Sequence, residues 1–451
     1  MQLSKISLAL ATFVVGTSAF AAPNASRIAV SSGASAVLGN LMTNTTPAAA
    51  MRTLCINASG TPTLFGSGNF RTMVCANSPV TAGTAGTYAS KPNGDFINFA
   101  GTNYAEFRLN VDPGSFGAVL VLNANTLTWF DPGVGAAGTN TATLPSGHVK
   151  VGGIMDIAPN GFTSATIGSN TVFPATSVGI AQTFGVAVSG ALYIKMFDAQ
   201  KAAGSLPAAC LVTNTNLAYC VPNIGKAQMA TIMVDNSFSA AYANGVGFLT
   251  GVPADNGLEL RYARRVDTSG TQASAQNYFL GLPCSQERLS IVAEPTTAAE
   301  APETLRNDVI GSIRVLAAPG TGDVRAELNK TDLDGVVIGP VVPNYAIGVM
   351  SGENNQGSQN WKWIRVNGAA MAENATPATA GITNTATQKN GTYDFYYEAV
   401  YIGGSAAGNA FWATVSSALN TIAAPVGLID NNTLTVGYTK GGLACIGSAS
   451  N

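Results

Sequence analysis

One arrangement recurs along this chain and limits what it can become: a short apolar strand, a turn of small residues, then a helix. Arg27 to Val30 reads as a buried strand that runs into Ser31-Ser32-Gly33-Ala34-Ser35-Ala36, followed by an apolar-periodic stretch with Val37, Leu38 and Leu41. Tyr104 to Val111 alternates like a strand, and Asp112-Pro113-Gly114-Ser115-Phe116-Gly117-Ala118 breaks it before Val119-Leu120-Val121-Leu122. Gly257 to Val266 is a third strand, leading through Asp267-Thr268-Ser269-Gly270-Thr271 into a predicted helix from Gln272 to Leu280. Ser312 to Leu316 is a fourth, ahead of Ala317-Ala318-Pro319-Gly320-Thr321-Gly322 and a helix over Asp323 to Asn329. Strands alternating with helices predict an α/β fold built on largely parallel sheet.

The N-terminal residues set the expected compartment. Lys5, the apolar run Ile6 to Val15 and Ala19-Phe20-Ala21 have the layout of a secretory signal peptide over residues 1–21, with cleavage expected after Ala21. The apolar run is too short to span a bilayer, and no cysteine at the junction offers a lipid anchor. A periplasmic or secreted protein is expected. About 430 mature residues exceed what one core usually organises, so two lobes are expected.

Charged residues are only 10% of the chain against 46% hydrophobic, with a formal net charge of -2, so no basic field exists to attract nucleic acid. Six cysteines in an oxidising compartment argue for disulfides. Cys55 with Cys75 and Cys210 with Cys220 would close local loops, and elimination leaves Cys284 with Cys445. No cysteine pair has zinc-site spacing and His148 is the only histidine, so neither a metal centre nor a cofactor is expected. The Gly, Ser and Thr-rich stretches between Cys55 and Cys75, Thr81 to Gly94, Gly133 to Gly147 and Asn374 to Gly391 read as polar surface insertions.

The small-residue turns carry the candidate chemistry. The first N–H groups of a helix lack internal partners and the peptide dipoles leave partial positive charge there, so anions are held without a formal cation. In Arg265-Val266-Asp267-Thr268-Ser269-Gly270-Thr271 a guanidinium precedes two hydroxyls and bare backbone, which supplies charged and neutral donors together. An enzymatic reading has little support. The Ser35 turn lacks the second glycine of a nucleophile elbow, and Gly320-Thr321-Gly322 has no lysine after it as a nucleotide loop requires. Arg108 and Arg264 read as solvated or paired charges, and His148 as a surface residue.

In order along the chain, Gly33 to Val37, Gly114 to Val119, Gly153-Ile154-Met155-Asp156 and Arg265 to Thr271 resemble the signature turns of the type II periplasmic solute-binding proteins. The likeness is closest to the phosphate-binding component of bacterial phosphate ABC importers. Weaker echoes lie in Tyr345 to Val349 and in Gly391-Thr392-Tyr393.

The resemblance implies a two-lobed type II fold in which 22–186 plus 396–451 form lobe I and 187–395 form lobe II. The crossovers would lie near Phe184 to Ser189 and near Tyr393 to Val400. It implies that Ser35, Ala36, Val37, Ser115, Asp156, Arg265, Ser269, Gly270 and Thr271 face phosphate or a similar oxyanion, and that a monomer serves an ABC permease. Asp156 would accept a proton of the ligand, which selects a protonated oxyanion over sulfate. The chain departs from the family at Val37, where a ligand-binding threonine is usual, and at Met155, where a serine is usual. A secreted surface protein that keeps this fold without phosphate affinity is the alternative expectation.

Overall fold

The computed structural model describes residues 26–31, 61–67, 70–76, 104–110, 114–124, 126–130, 139–143, 149–150, 152–215, 217–234, 240–284, 291–292, 303–305, 313–332, 342–371, 386–404, 406, 409, 412–413, 428–430, 438–439 and 449–450. Residues 1–21, expected to be a signal peptide, and Ser35, Ala36, Val37, Cys55, His148 and Cys445 lie outside the described residues.

The fold is mixed α/β. In chain order β1 (Ser26–Ser31), β2 (Thr61–Ser67), β3 (Phe70–Ala76) and β4 (Tyr104–Asn110) come first. β5 (Thr126–Phe130) and β6 (Thr139–Thr143) form an antiparallel pair, and β7 (Val149–Lys150) follows. A five-stranded sheet runs β2-β3-β4-β1-β7, parallel at β1–β4 and β1–β7 and antiparallel at β2–β3 and β3–β4. Two of the stretches read as polar insertions are therefore partly sheet, since β2 and β3 fill most of the interval between Cys55 and Cys75, and β6 lies within 133–147. Their threonines are β-branched and favour extended backbone, and each segment has an antiparallel neighbour to pair with.

A nine-stranded sheet follows. It contains β8 (Gly153–Met155) and β9 (Ala175–Val188), and later β11 (Leu260–Arg265), β12 (Glu303–Leu305), β13 (Ile313–Ala318), β14 (Ala346–Ser351), β15 (Lys362–Trp363), β17 (Tyr396–Ile402) and β18 (Leu428–Asp430). The short strands β10 (Asn223–Ile224) and β16 (Arg365–Val366) pair apart from it. The order β12-β13-β11-β14-β9-β17-β8 is parallel only across β13, β11 and β14. Sequence reading expected more parallel sheet, but the long β9 pairs antiparallel with β14, β15, β17 and β18. The expected crossover segments Phe184–Ser189 and Tyr393–Val400 run on these neighbouring antiparallel strands, with Tyr396 opposite Thr183.

Helices sit where the alternating pattern placed them: Gly117–Asn123, Gly270–Ala275 continuing as a π-helical turn Gln276–Leu280, and Thr321–Asn329. Among the described residues no helix is long and apolar enough to cross a membrane. Cys210 and Cys220 are bonded to each other and close the loop after the helix Gly190–Ala202, as expected from their spacing. Cys284 is also disulfide-bonded.

The apolar core is organised on β9. Fully buried Phe184 packs against the rings of Phe395 and Tyr397 at 5.6 and 6.4 Å, and Phe395 stacks on Tyr278 at 4.3 Å. Tyr393 ties the same layer to the backbone by donating its hydroxyl to the Phe184 carbonyl at 2.6 Å. These rings join β9, the start of β17 and the π-helical turn Gln276–Leu280 in one aromatic layer. Phe184→Ala leaves a cavity at this junction and is expected to lower the unfolding free energy by about 3–5 kcal/mol. Urea titration should show a lower midpoint with an unchanged slope.

Candidate functional site

Two glycines allow two distant turns to touch. Gly114 has φ +67°, a left-handed conformation that side chains rarely adopt. A Cβ there would also lie 2.9 Å from the Ser269 Cα and 2.9 Å from the Thr268 carbonyl oxygen. The backbones are therefore in direct contact, and the Phe116 N–H donates to the Thr268 carbonyl at 3.0 Å. Opposite it, a Cβ on Gly270 would meet Ser115 Oγ at 2.1 Å and Asp156 Oδ2 at 2.6 Å. Glycine is needed at both positions because no side chain fits.

The turn before Gly270 is held by a buried arginine. Arg264 donates from Nε to the Val292 carbonyl at 2.9 Å and from Nη1 to the Arg265 carbonyl at 2.7 Å, and its Nη2 pairs with Asp267. This is one of the paired outcomes expected for Arg264, and the pairing fixes the backbone from which the helix starts. Ser269 caps that helix, its Oγ accepting from the Gln272 N–H at 3.5 Å. Ser269, Gly270 and Thr271 are all buried at the helix start.

Asp156 reaches the same point from the end of β8. Its backbone N–H donates to Ser115 Oγ at 3.1 Å, and that hydroxyl donates to Asp156 Oδ2 at 3.0 Å. Both residues are buried. The preceding Met155, where the resembled family carries serine, is fully buried in the same apolar core cluster as Phe116 and Phe162, so it belongs to packing and not to the site.

Arg265 ends β11 and is partly exposed. Its Nη1 donates to Thr321 Oγ1 at 2.8 Å and its Nε to the Pro319 carbonyl at 3.2 Å, which holds the guanidinium between the ends of β11 and β13. Its charge acts on Asp156, on Asp323 and on Glu353. Sequence reading did not single out Glu353. It follows β14, where its Oε1 accepts from Ser351 Oγ at 2.6 Å and its Oε2 from Gln182 Nε2 at 3.0 Å. The available signal was an acidic residue just past a largely apolar strand, in a chain with few charges.

Burial pushes the Asp156 carboxyl up to about 7, with the Glu353 charge adding to the rise and the Ser115 hydroxyl and Arg265 opposing it. Burial also raises Glu353 above the usual carboxylate range, against hydrogen bonds from Ser351, its own backbone and Gln182. Arg265 is lowered to about 10 by desolvation, opposed by the carboxylates around it.

The structure thus brings together Ser115, Asp156, Ser269, Gly270 and Thr271, with the charge of Arg265 acting on Asp156. Chemically the group offers a hydroxyl, helix-start amides, one cation and a carboxyl able to hold or accept a proton near neutral pH. Among the described residues no group of three or more His, Cys, Asp or Glu could hold a metal.

Two outcomes follow from this packing. Gly270→Ala drives a methyl group into Ser115 and Asp156 and is expected to destabilise the protein by about 1–3 kcal/mol, measured by thermal or urea melting. Asp156 holds its proton more tightly when folded than its ordinary value of 3.8 allows, so the folded state binds more protons between that value and about 7. Its contribution therefore favours folding at low pH and is lost as pH rises through about 7. The stability of Asp156→Asn relative to the parent chain is expected to rise across that window, as read from urea melts at a series of pH values.

Set against known proteins, the chain matches no family model and no curated sequence.

Proposed function

We propose that this chain is an exported, two-lobed solute-binding protein that captures phosphate or a similarly protonated tetrahedral oxyanion for an ABC importer, and that it is not an enzyme. The observation that carries the proposal is the meeting of Ser115, Asp156 and the Gly270 helix start, three segments far apart in sequence, beside a guanidinium. Each supplies what a protonated oxyanion needs. The helix-start amides and hydroxyls donate to oxygens, Arg265 balances charge, and Asp156 accepts the ligand's hydrogen.

A two-lobed arrangement is supported by the order of these segments. Ser115 and Asp156 precede the first expected crossover, on β9, and Arg265 to Thr271 lie between it and the second, on β17. Ligand held by residues from both sides favours the closed form, because only that form makes both sets of contacts.

Titration of the exported protein with inorganic phosphate by calorimetry is expected to give micromolar or tighter binding that Arg265→Ala abolishes and that sulfate does not reproduce. Absence of heat with phosphate, arsenate and phosphonates would instead leave a surface protein that keeps the fold without the affinity.

A further inference from the structure

The helix that begins at Gly270 is gripped at its far end. It continues into the π-helical turn Gln276–Leu280, a conformation that is rare and recurs at functional sites. Asn277 and Tyr278 on that turn are buried, and both bond to the segment of the second expected crossover. The Tyr397 hydroxyl donates to Asn277 Oδ1, and the Tyr278 hydroxyl donates to Asp394 Oδ1. Asn277 is oriented in turn by donating from Nδ2 to the Leu282 carbonyl at 3.1 Å. The Tyr278 ring stacks on Phe395 at 4.3 Å. Lys226, at the start of the helix Lys226–Met233, sets its ammonium 3.6 Å from the centre of the Tyr278 ring and 4.0 Å from Asp394 Oδ2.

The same strand reaches the other half of the site. β17 pairs antiparallel with β8, Ile402 lying opposite Gly153, Tyr401 opposite Ile154 and Val400 opposite Met155. Asp156 is the next residue. A circuit closes through these contacts. Asp156 and Ser115 lie against the start of the Gly270 helix, and the end of that helix holds Asp394 and Tyr397 through Tyr278 and Asn277. From Tyr397 the strand then runs back to Met155, beside Asp156. The spacing of Asp156 from the helix start is therefore set twice, once by direct contact and once through β17.

We propose that Asn277 and Tyr278 are positioning residues for the anion site, tying the Gly270 helix to β17 so that the helix start and Asp156 hold their spacing and binding of an oxyanion is transmitted to the second crossover. This rests on the oxyanion-binding reading above. The two residues act through the helix and the strand and make no contact with the anion. Removing either hydroxyl bond frees the helix end while leaving every group that faces the anion in place.

The test compares the full exported chain with Tyr278→Phe and Tyr397→Phe, which remove one hydroxyl each and keep the rings. Inorganic phosphate is titrated by calorimetry, and amide hydrogen exchange over residues 393–402 is followed with and without phosphate at concentrations that saturate each form. The parent is expected to exchange more slowly there when phosphate is bound. Each variant should bind phosphate about tenfold more weakly and lose that slowing even when saturated. Asp394→Ala, at an exposed position, carries the test of the Tyr278 bond if Tyr278→Phe does not fold. Parent-like affinity and slowing in the variants, even with a lowered melting midpoint, overturns the positioning role and leaves the oxyanion reading standing, as does a parent whose exchange at 393–402 ignores bound phosphate. No phosphate heat from the parent overturns both.

Discussion

Contact between two backbones is the constraint from which the rest of this site follows. Because Gly114 and Gly270 carry no side chain, the turn at Ser115 and the turn at Ser269 close to direct contact, and the Phe116 N–H reaches the Thr268 carbonyl. That contact buries the Asp156 carboxyl against Ser115 and Gly270. Desolvation then raises its affinity for a proton. A side chain at either glycine would separate the turns, rehydrate the carboxyl and return it toward ordinary acidity.

Around this contact the structure spends its few charges economically. Arg264 is buried, with each of its three nitrogens bonded to a backbone carbonyl or to Asp267, so it braces the turn. Its neighbour Arg265 is partly exposed at the strand end, with Thr321 and the Pro319 carbonyl using only part of its donor set. Adjacent arginines thus take opposite roles because successive residues of a strand point to opposite faces. Tyr278, on the π-helical continuation of the Gly270 helix, stacks on Phe395, which packs on Phe184, so that helix is anchored to the aromatic core at its far end.

Much of the architecture was legible in sequence. The strand-turn-helix units around Gly114, Gly270 and Gly320 were found because periodicity changes from two to nearly four across a cluster of small residues, a local signal. The Cys210–Cys220 bond was readable from a short spacing that leaves little choice of partner. Sheet direction was less so. A repeated unit suggested parallel strands, but β9 is long enough to pair antiparallel with four others, and no local signal records which strand lies alongside which. The polar stretches near β2 and β6 were missed because threonine suits both an exposed loop and a strand edge.

What the sequence alone determined is where helices start, where glycine is indispensable, and which turns carry hydroxyls, since these depend on neighbours a few residues away. Only tertiary structure decided that Ser115, Asp156 and Gly270 share one point, that Glu353 presses its charge on the same guanidinium, and that Arg264 is a brace while Arg265 is not. Proton affinity and charge balance depend on burial and on groups far apart along the chain, and those distances are set by how the sheet assembles.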